Sequence, residues 1–449
     1  MYALTDSAYI PAVGPARNPL KEEHVMNRPA RLRTRKTVRN TTVAAASIAA
    51  MVVIAACGGS DGGGVSADKK QTLTVWGMGA EGEKLADIAK TYEKSHPNIT
   101  IKVTPVGWDV AHQKLVSAAA ASKLPDIAQM GGSYMGEFSE LGVLEPVDTK
   151  TFHEKDFFPA SWKQGVVDDT AYGVPWYVDT RVVYYRKDLA EKAGITAAPK
   201  TWQDMKTLAT AYQKKAGTQW GLSIQPSGTD TVQSFYPYLY SAGGQIVSDD
   251  GKKAVVNSPE AVRALTEYGS YFSKGLAKKS VTPGYDVLKD FDSGSVPMFF
   301  SGPWQISSIN QTHPNLKGKW AITTVPRDES ATSMAGGSSL AISKDSDHKA
   351  AATDFVKYLT SAKGQTEFYK ASGDLPARTS AWDSGDLATD KNLQIFRTQV
   401  ENSKTSPALA KWSEISSKVD DAIEQVTQGK ASAKSALDKA QSEIESLLG

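Results

Sequence analysis

The sequence predicts an α/β fold, and the region just after residue 70 gives the clearest indication. QTLTVW (71–76) has the composition of a strand, and Leu85, Ile88 and Tyr92 then recur at helical spacing. ITIKV (99–103) alternates apolar and polar residues, which predicts a second, half-buried strand. Strand, helix and strand within so short a stretch form a βαβ unit, which is typical of a parallel sheet.

A second region repeats this alternation. Residues 182–185 (VVYY) predict a strand, and Thr201 is a suitable N-cap for the helix that follows it. Ser258-Pro259 predicts another helix start, because proline is well tolerated at the first helical position. Further strands are predicted at 296–300 and 321–325, and an amphipathic helical tail at 412–448.

The N-terminal region has the pattern of a signal peptide, which we expect over 1–56. A basic stretch (28–39) precedes an uncharged run (41–56) that is too short for a comfortable membrane span but suits an h-region. Residues 1–25 resemble no part of a signal peptide. We therefore expect Met26 to be the true start and the first 25 residues to be a mis-called extension.

The run ends in Ile-Ala-Ala-Cys, which resembles the lipobox of bacterial lipoproteins. That resemblance implies that Cys57, the only cysteine in the chain, receives a lipid and becomes the mature N-terminus. The Gly-rich stretch that follows behaves as a flexible coil, so 57–70 is expected to be a tether. The expected location is the outer face of the cell membrane.

Charge and composition exclude several classes of function. Beyond residue 56 the net charge is −3, which gives no basic footprint for nucleic acid. A single cysteine excludes an internal disulfide and the common Cys-based zinc sites. The six histidines are scattered, no HExxH motif is present, and no GxSxG lies at a strand-to-helix turn. We expect no metal and no cofactor.

Nine segments between residues 73 and 382 resemble one protein family, in the family's order. They are LTVWGM (73–78), LPDIAQMGG (124–132), GVLEPVD (142–148), YGVPWYVDTRVVYYRKDLAEKAGI (172–195), PKTWQDM (199–205), YSAGGQIVSDDGK (240–252), MFFSGPW (298–304), GGSSLAIS (336–343) and DLPARTSAW (374–382). The chain resembles the sugar-binding lipoproteins of ABC importers, extracellular solute-binding protein family 1, the group similar to maltose-binding protein.

The resemblance implies a two-lobed periplasmic-binding-protein-like fold of type II, with discontinuous lobes, hinge strands and a ligand cleft between them. The first lobe is expected at 71–175 plus 326–362, and the second at 178–320 plus 363–449. The implied function is capture of a sugar, expected to be an oligosaccharide, by a monomer. The implied partners are an ABC permease and its cytoplasmic ATPase.

A sugar needs aromatic plates for its C–H faces and hydrogen-bonding groups for its hydroxyl rim. The GPW motif places Trp304 as a stacking plate by resemblance, and Asp179 matches a ligand-contacting acidic position of the family. Other candidates occupy predicted strand ends, loops and the helical tail. They are Trp76, Met78, Trp108, Asp109, Gly132, Ser133, Tyr134, Tyr177, Gln233, Tyr236, Gly336, Gly337 and Trp412.

Several candidates also have a structural alternative. Trp76 and Trp304 could be core residues, Trp108-Asp109 a surface turn, and Trp412 a helix-packing residue. Asp179 and Tyr177 could simply form part of a solvated hinge.

Two enzymatic functions remain as alternatives. Residues 77–82 satisfy GxGxxG after a strand, but the acidic residue of a dinucleotide site is missing at the end of the second strand. An exported glycoside hydrolase would need a pair of carboxylates flanking one bond, and no pair stands out in a shared motif. The sequence does not identify the sugar: α-glucosides, β-linked oligosaccharides and chitobiose-like ligands stay open.

Overall fold

The structure is a computed structural model that describes residues 70–282 and 285–449. The chain divides into two units, Met1–Gly62 and Gly63–Gly449, and all of the described residues belong to the second. The expected signal peptide, Cys57 and nearly all of the tether therefore lie outside the described residues.

The described residues contain two sheets and two short strands that pair only with each other. The strands are β1 (Gln71–Met78), β2 (Ile99–Val106), β3 (Ile127–Gly131), β4 (Val166–Val167), β5 (Thr170–Ala171), β6 (Val174–Thr180), β7 (Val182–Arg186), β8 (Met298–Ser301), β9 (Trp320–Thr323), β10 (Ser333–Ile342), β11 (Leu375–Pro376) and β12 (Ser403–Lys404).

Helices connect and cover these strands. They are α1 (Gly79–Ser95), α2 (Trp108–Ala120), α3 (Gly132–Glu140), α4 (Pro159–Lys163), α5 (Lys187–Lys192), α6 (Trp202–Ala211), α7 (Val232–Ser241), α8 (Pro259–Ser273), α9 (Val287–Ser293), α10 (Trp304–Thr312), α11 (Lys349–Leu359), α12 (Ala362–Ser372), α13 (Gly385–Thr389), α14 (Lys391–Glu401), α15 (Trp412–Thr427) and α16 (Ala433–Leu448).

The larger sheet organises the first lobe, with strand order β11-β6-β10-β3-β1-β2 and β12 paired to β10. β1 runs parallel to β2 and β3, so the predicted βαβ unit is confirmed. β10 runs antiparallel to β3 and β6. The carboxyl ends of β1, β2 and β3 therefore lie at one edge, where an open α/β sheet binds ligands.

The smaller sheet organises the second lobe, with strand order β8-β7-β9. Its three strands pair antiparallel, so the parallel arrangement of the first βαβ unit is not repeated. Five helices separate β7 from β8, and such a long connection does not force a parallel return. The predicted caps are present: Thr201 and Asp204 form a capping box on α6, and Ser258 caps α8.

Within residues 70–282 and 285–449, the backbone passes between the lobes at three places. A single residue, Arg181, separates β6 from β7, and residues 324–332 connect β9 to β10. The third passage follows β12, because α14 packs against β6 and β10 whereas α15 packs against α8 and α16.

Residues 363–401 were predicted to belong to the second lobe, together with the tail. In the structure α12 packs against α1, and β11 pairs with β6 of the first sheet. This packing favours a boundary near β12 instead of near residue 362. The other predicted lobe boundaries stay predictions.

Candidate functional site

A cavity of about 510 Å³ lies between the two sheets. Eleven of the fifteen predicted ligand-binding residues line it, and they come from both lobes. They are Trp108, Gly132, Ser133, Tyr177, Asp179, Gln233, Tyr236, Trp304, Gly336, Gly337 and Trp412. A neighbouring cavity of about 290 Å³ shares Tyr240, Ser406 and Trp412 with it, so the two spaces adjoin.

Trp76 and Met78, at the end of β1, do not line the cavity. Met78 is fully buried in a small hydrophobic cluster, and its N–H donates to Gln129 Oε1 at 2.7 Å. Trp76 packs at the edge of the same cluster beneath Lys114, whose Nζ lies 4.9 Å from the ring centroid. Trp76 therefore follows its core alternative, and Met78 is a core residue as well.

Asp109 and Tyr134 also lie outside the cavity lining. Asp109 is exposed in the first turn of α2, which is the surface-turn alternative. The ring of Tyr134 lies 5.1 Å from that of His112, and burial raises the pKa of its hydroxyl. We do not carry these four residues into the proposed site.

Twelve residues line the cavity that the sequence analysis did not select. They are Ala80, Glu81, Gly131, Gln164, Arg181, Tyr240, Met334, Ala335, Lys404, Thr405, Ser406 and Pro407. The sequence could have indicated two of them, because Glu81 lies within the GxGxxG match and Arg181 follows Asp179 by two positions. Residues 404–407 lie at the end of β12 and in the third passage between the lobes, which the sequence did not reveal.

Tyr177 anchors the wall of the cavity at the hinge. Its hydroxyl donates to Glu81 Oε1 at 2.9 Å and accepts from Gln129 Nε2 at 3.3 Å and Ser338 Oγ at 3.2 Å. Burial raises the pKa of Tyr177 well above its ordinary value, so the hydroxyl keeps its proton and remains a donor. Glu81 is thereby fixed at the start of α1 while it faces the cavity.

Gly336 and Gly337 allow β10 to approach the hinge strand β6. A Cβ at Gly336 would lie 2.5 Å from Asp179 Oδ1, and a Cβ at Gly337 would overlap the backbone of Tyr177. Gly337 also has a φ of +111°, which side chains rarely adopt. These two glycines therefore serve the close packing of the two strands.

The aromatic residues present very different amounts of surface to the cavity. Trp108 is 38% exposed and Trp304 is partly exposed, whereas Trp412 is only 5% exposed. Tyr236 is buried, stacks on Tyr240 at a centroid distance of 5.1 Å, and accepts from Ser406 Oγ at 3.0 Å. Trp108 and Trp304 are therefore the two accessible plates.

Charged groups meet at the hinge side of the cavity. Glu81 and Asp179 are acidic, and Arg181 pairs with Asp179 at 2.9 Å. Asp374 lies directly before β11, where burial and then the charges of Glu81 and Asp179 raise its pKa to about 7. Three carboxyl groups of the first lobe thus lie close together, with one arginine beside them.

The GxGxxG match is explained by packing. A Cβ at Gly77 would lie 2.5 Å from the Cα of Gly82, so these glycines let α1 approach β1 closely. Within residues 70–282 and 285–449, no group of three or more His, Cys, Asp or Glu side chains is arranged to hold a metal ion. No helix in the same part of the chain has both the length and the apolar character needed to cross a membrane.

Two lobes around a polar and aromatic cavity define a solute-binding protein. Residues 77–366 match the family described as bacterial extracellular solute-binding proteins. The chain therefore belongs to this family.

Solved structures confirm the type II two-lobed fold. The sugar-binding protein MalE from the phytopathogen Xanthomonas citri is 32% identical, with a TM-score of 0.77 over 84% of this chain and 97% of its own. The GacH receptor of Streptomyces glaucescens, solved unliganded and with acarbose, is 26% identical, with a TM-score of 0.74 over 84% of this chain and 98% of its own. Among sequence relatives, the galactooligosaccharide-binding protein of Bacillus subtilis is 25% identical over 84% of this chain and 89% of its own.

Proposed function

We propose that this protein captures an oligosaccharide outside the cell and delivers it to an ABC importer, without catalysing a reaction. The observation that carries the proposal is the cleft itself, where the accessible rings of Trp108 and Trp304 face carboxylate, amide and hydroxyl groups. This combination suits a ligand with apolar faces and a hydroxyl rim. The names of the relatives support the same class of ligand.

An oligosaccharide fits better than a single sugar because the cleft adjoins a second cavity past Trp412. The lobes can hinge at the passages between them, and a ligand favours the closed arrangement only through contacts that it gains there. No observation favours the hydrolase or dinucleotide alternative.

A thermal-shift screen tests this function. The unit 63–449 contains all three hydrophobic clusters, so it is the form to purify. A panel of maltotriose, trehalose, cellotriose, xylotriose and diacetylchitobiose should include a sugar that raises Tm, because ligand binding stabilises the folded state alone. No rise with any sugar, or release of nitrophenol from a nitrophenyl glycoside, would contradict the proposal.

We also propose that Cys57 is lipidated and holds the protein at the outer face of the membrane. The lipobox-like sequence and the Gly-rich tether support this anchor. Cells expressing the full chain should place it in the membrane fraction, and Cys57→Ser should release it or leave it unprocessed. Unchanged fractionation of the variant would contradict the anchor and leave the sugar-binding proposal intact.

A further inference from the structure

Arg181 occupies a special position in the chain. It is the single residue between β6, which belongs to the first sheet, and β7, which belongs to the second. Its carbonyl oxygen accepts from Ser333 Oγ at 2.9 Å, and the neighbouring Thr180 Oγ1 donates to the carbonyl of Met334 at 2.6 Å. The start of β10 therefore fixes the backbone of the first passage.

The side chain of Arg181 contacts two predicted ligand-binding residues, one on each side of the hinge. Its guanidinium donates to Asp179 Oδ1 at 2.9 Å, and both side chains are largely buried, at 19% and 17% exposure. The same guanidinium lies over the indole of Trp304, 5.0 Å from the ring centroid. Arginine suits this double role because its planar group can pair with a carboxylate and stack on an aromatic ring.

The orientation of Trp304 depends on the residues around Arg181. Val182 pairs with Ser301, so Arg181 and Gly302 are neighbours at the next position of the two strands. A Cβ at Gly302 would overlap three carbon atoms of the Trp304 ring, so the indole packs directly over that glycine. Gly302 and Arg181 together form the support on which the indole rests.

The positive charge of Arg181 also offsets the negative charge of nearby carboxylates. Asp179 and Glu81 line the cavity, and Asp374 lies close enough to both for their charges to affect it. Lys404, the other cationic residue of the lining, ends β12 just before the third passage between the lobes, and it forms no ion pair with either carboxylate. Loss of Arg181 would leave this wall with unbalanced negative charge.

We propose that Arg181 is a positioning and specificity residue, which holds Asp179 and Trp304 as one recognition unit and makes the cleft selective for uncharged sugars. The inference rests on the proposed function, since it assumes that the ligand is a sugar. Asp179 supplies the acceptor, Trp304 supplies the plate, and Arg181 sets their separation and cancels the charge that would otherwise attract an amino sugar.

Affinity measurements on Arg181→Met and Arg181→Lys test the inference, with the neutral sugar that gives the largest rise in Tm and its amino analogue as probes. Arg181→Met should weaken neutral-sugar binding by about 10- to 100-fold, the range expected for loss of a charge-assisted hydrogen bond. Arg181→Lys keeps the positive charge beside Asp179, so its affinity should recover to within about 5-fold of the wild type, and the remaining loss reflects the missing planar stacking on Trp304.

The ratio of the two affinities separates specificity from a purely structural effect. In Arg181→Met, the ratio of amino-sugar to neutral-sugar affinity should rise by about 10-fold, because an unpaired carboxylate attracts a cation. An equal loss for both sugars, or no rescue by lysine, would overturn the inference. Arg397→Met removes a partly exposed arginine that pairs with Asp383 and Glu401 outside the cavity, and it should change neither affinity.

The outcomes also separate this inference from the proposed function. If the wild-type protein bound no sugar of the panel, the proposed function would fail and the role of Arg181 with it. If the wild type bound a sugar and Arg181→Met bound each probe with the wild-type affinity, only the role of Arg181 would be overturned.

Discussion

Two regions of the molecule are rich in aromatic residues, and they differ in almost every other respect. In the core of the second lobe, Tyr238, Tyr268 and Tyr271 are fully or almost fully buried and pack edge to face, with Tyr238 and Tyr268 at 5.2 Å and 89°. In the cleft, Trp108 and Trp304 keep part of their surface open beside charged groups. The same residue class therefore supplies stability in one region and a binding surface in the other.

The difference shows where the free energy of folding comes from. The tyrosine cluster buries large apolar surfaces, which stabilises the fold. The cleft contains partly buried carboxyl groups, which are costly to desolvate. The cleft is therefore a region that the rest of the molecule must hold in place.

The largest effect is expected in the tyrosine core. Tyr268→Ala removes a fully buried ring and the hydrogen bond from its hydroxyl to the carbonyl of Gln225. It should lower the free energy of unfolding by about 3–5 kcal/mol in urea titrations of the unit 63–449. Sugar affinity of the molecules that remain folded should stay at the wild-type value. A selective loss of affinity with normal stability would mean that the core belongs to the site.

Substitution of Asp374, a buried acid beside the cleft, should have the opposite effect and raise the stability. The pKa of Asp374 is raised from 3.8 to about 7, first by burial and then by Glu81 and Asp179. The folded state then binds this proton more tightly than the unfolded state. The resulting stabilisation is complete below pH 4 and is lost as the pH rises through 7.

Asp374→Asn should therefore stabilise the protein at pH 8, by about 2–4 kcal/mol, and have little effect at pH 4. Denaturant titrations at both pH values measure the difference. Asp383→Asn serves as the control, because that carboxylate is 66% exposed on the surface. Equal effects of Asp374→Asn at the two pH values would contradict the raised pKa.

Trp304→Ala should separate binding from stability. The change removes an accessible plate of the cleft, so we expect it to abolish the sugar-induced rise in Tm, with an affinity at least about 30-fold weaker. The Tm without sugar should remain nearly normal. Trp220, a partly buried tryptophan outside the cavity lining, gives the matched control, since Trp220→Ala should preserve affinity. An unchanged shift in Trp304→Ala would remove Trp304 from the site.

The smallest effect is expected for a single hydroxyl of the core. Among the described residues, the Tyr238 hydroxyl has no hydrogen-bond partner although it is buried. Tyr238→Phe should therefore change the free energy of unfolding by no more than about 0.5 kcal/mol, or raise it slightly. A clear loss of stability would indicate that the hydroxyl has a partner, such as a bound water.

Much of this arrangement follows from local sequence patterns. The βαβ unit, the strand at 182–185 and the caps at Thr201 and Ser258 depend on neighbouring residues, and the structure has all of them. The tail is helical, but it divides into α15 and α16 at Gly429, whose φ of +74° ends the first helix. Local patterns do not fix how distant strands pair, so the antiparallel second sheet was not predicted.

The site was harder to predict because it depends on which way each side chain points. Met78 ends the first strand as expected, but packing with α2 and α3 turns it into the core. Ser406 is far from the other site residues in sequence and reaches the cavity only through the third passage between the lobes. Arg181 lay within a recognised motif, yet its importance depends on contacts with Asp179 and Trp304 that no spacing rule describes.

A crystal structure of the unit 63–449 with the sugar that raises Tm most would test the central claim most directly. We predict one sugar ring stacked on Trp304, with its hydroxyl groups hydrogen-bonded near Asp179 and with both lobes in contact with the ligand. Sugar bound only in the separate cavity of the second lobe, lined by Gln225 and Tyr285, with the cleft empty, would contradict the account.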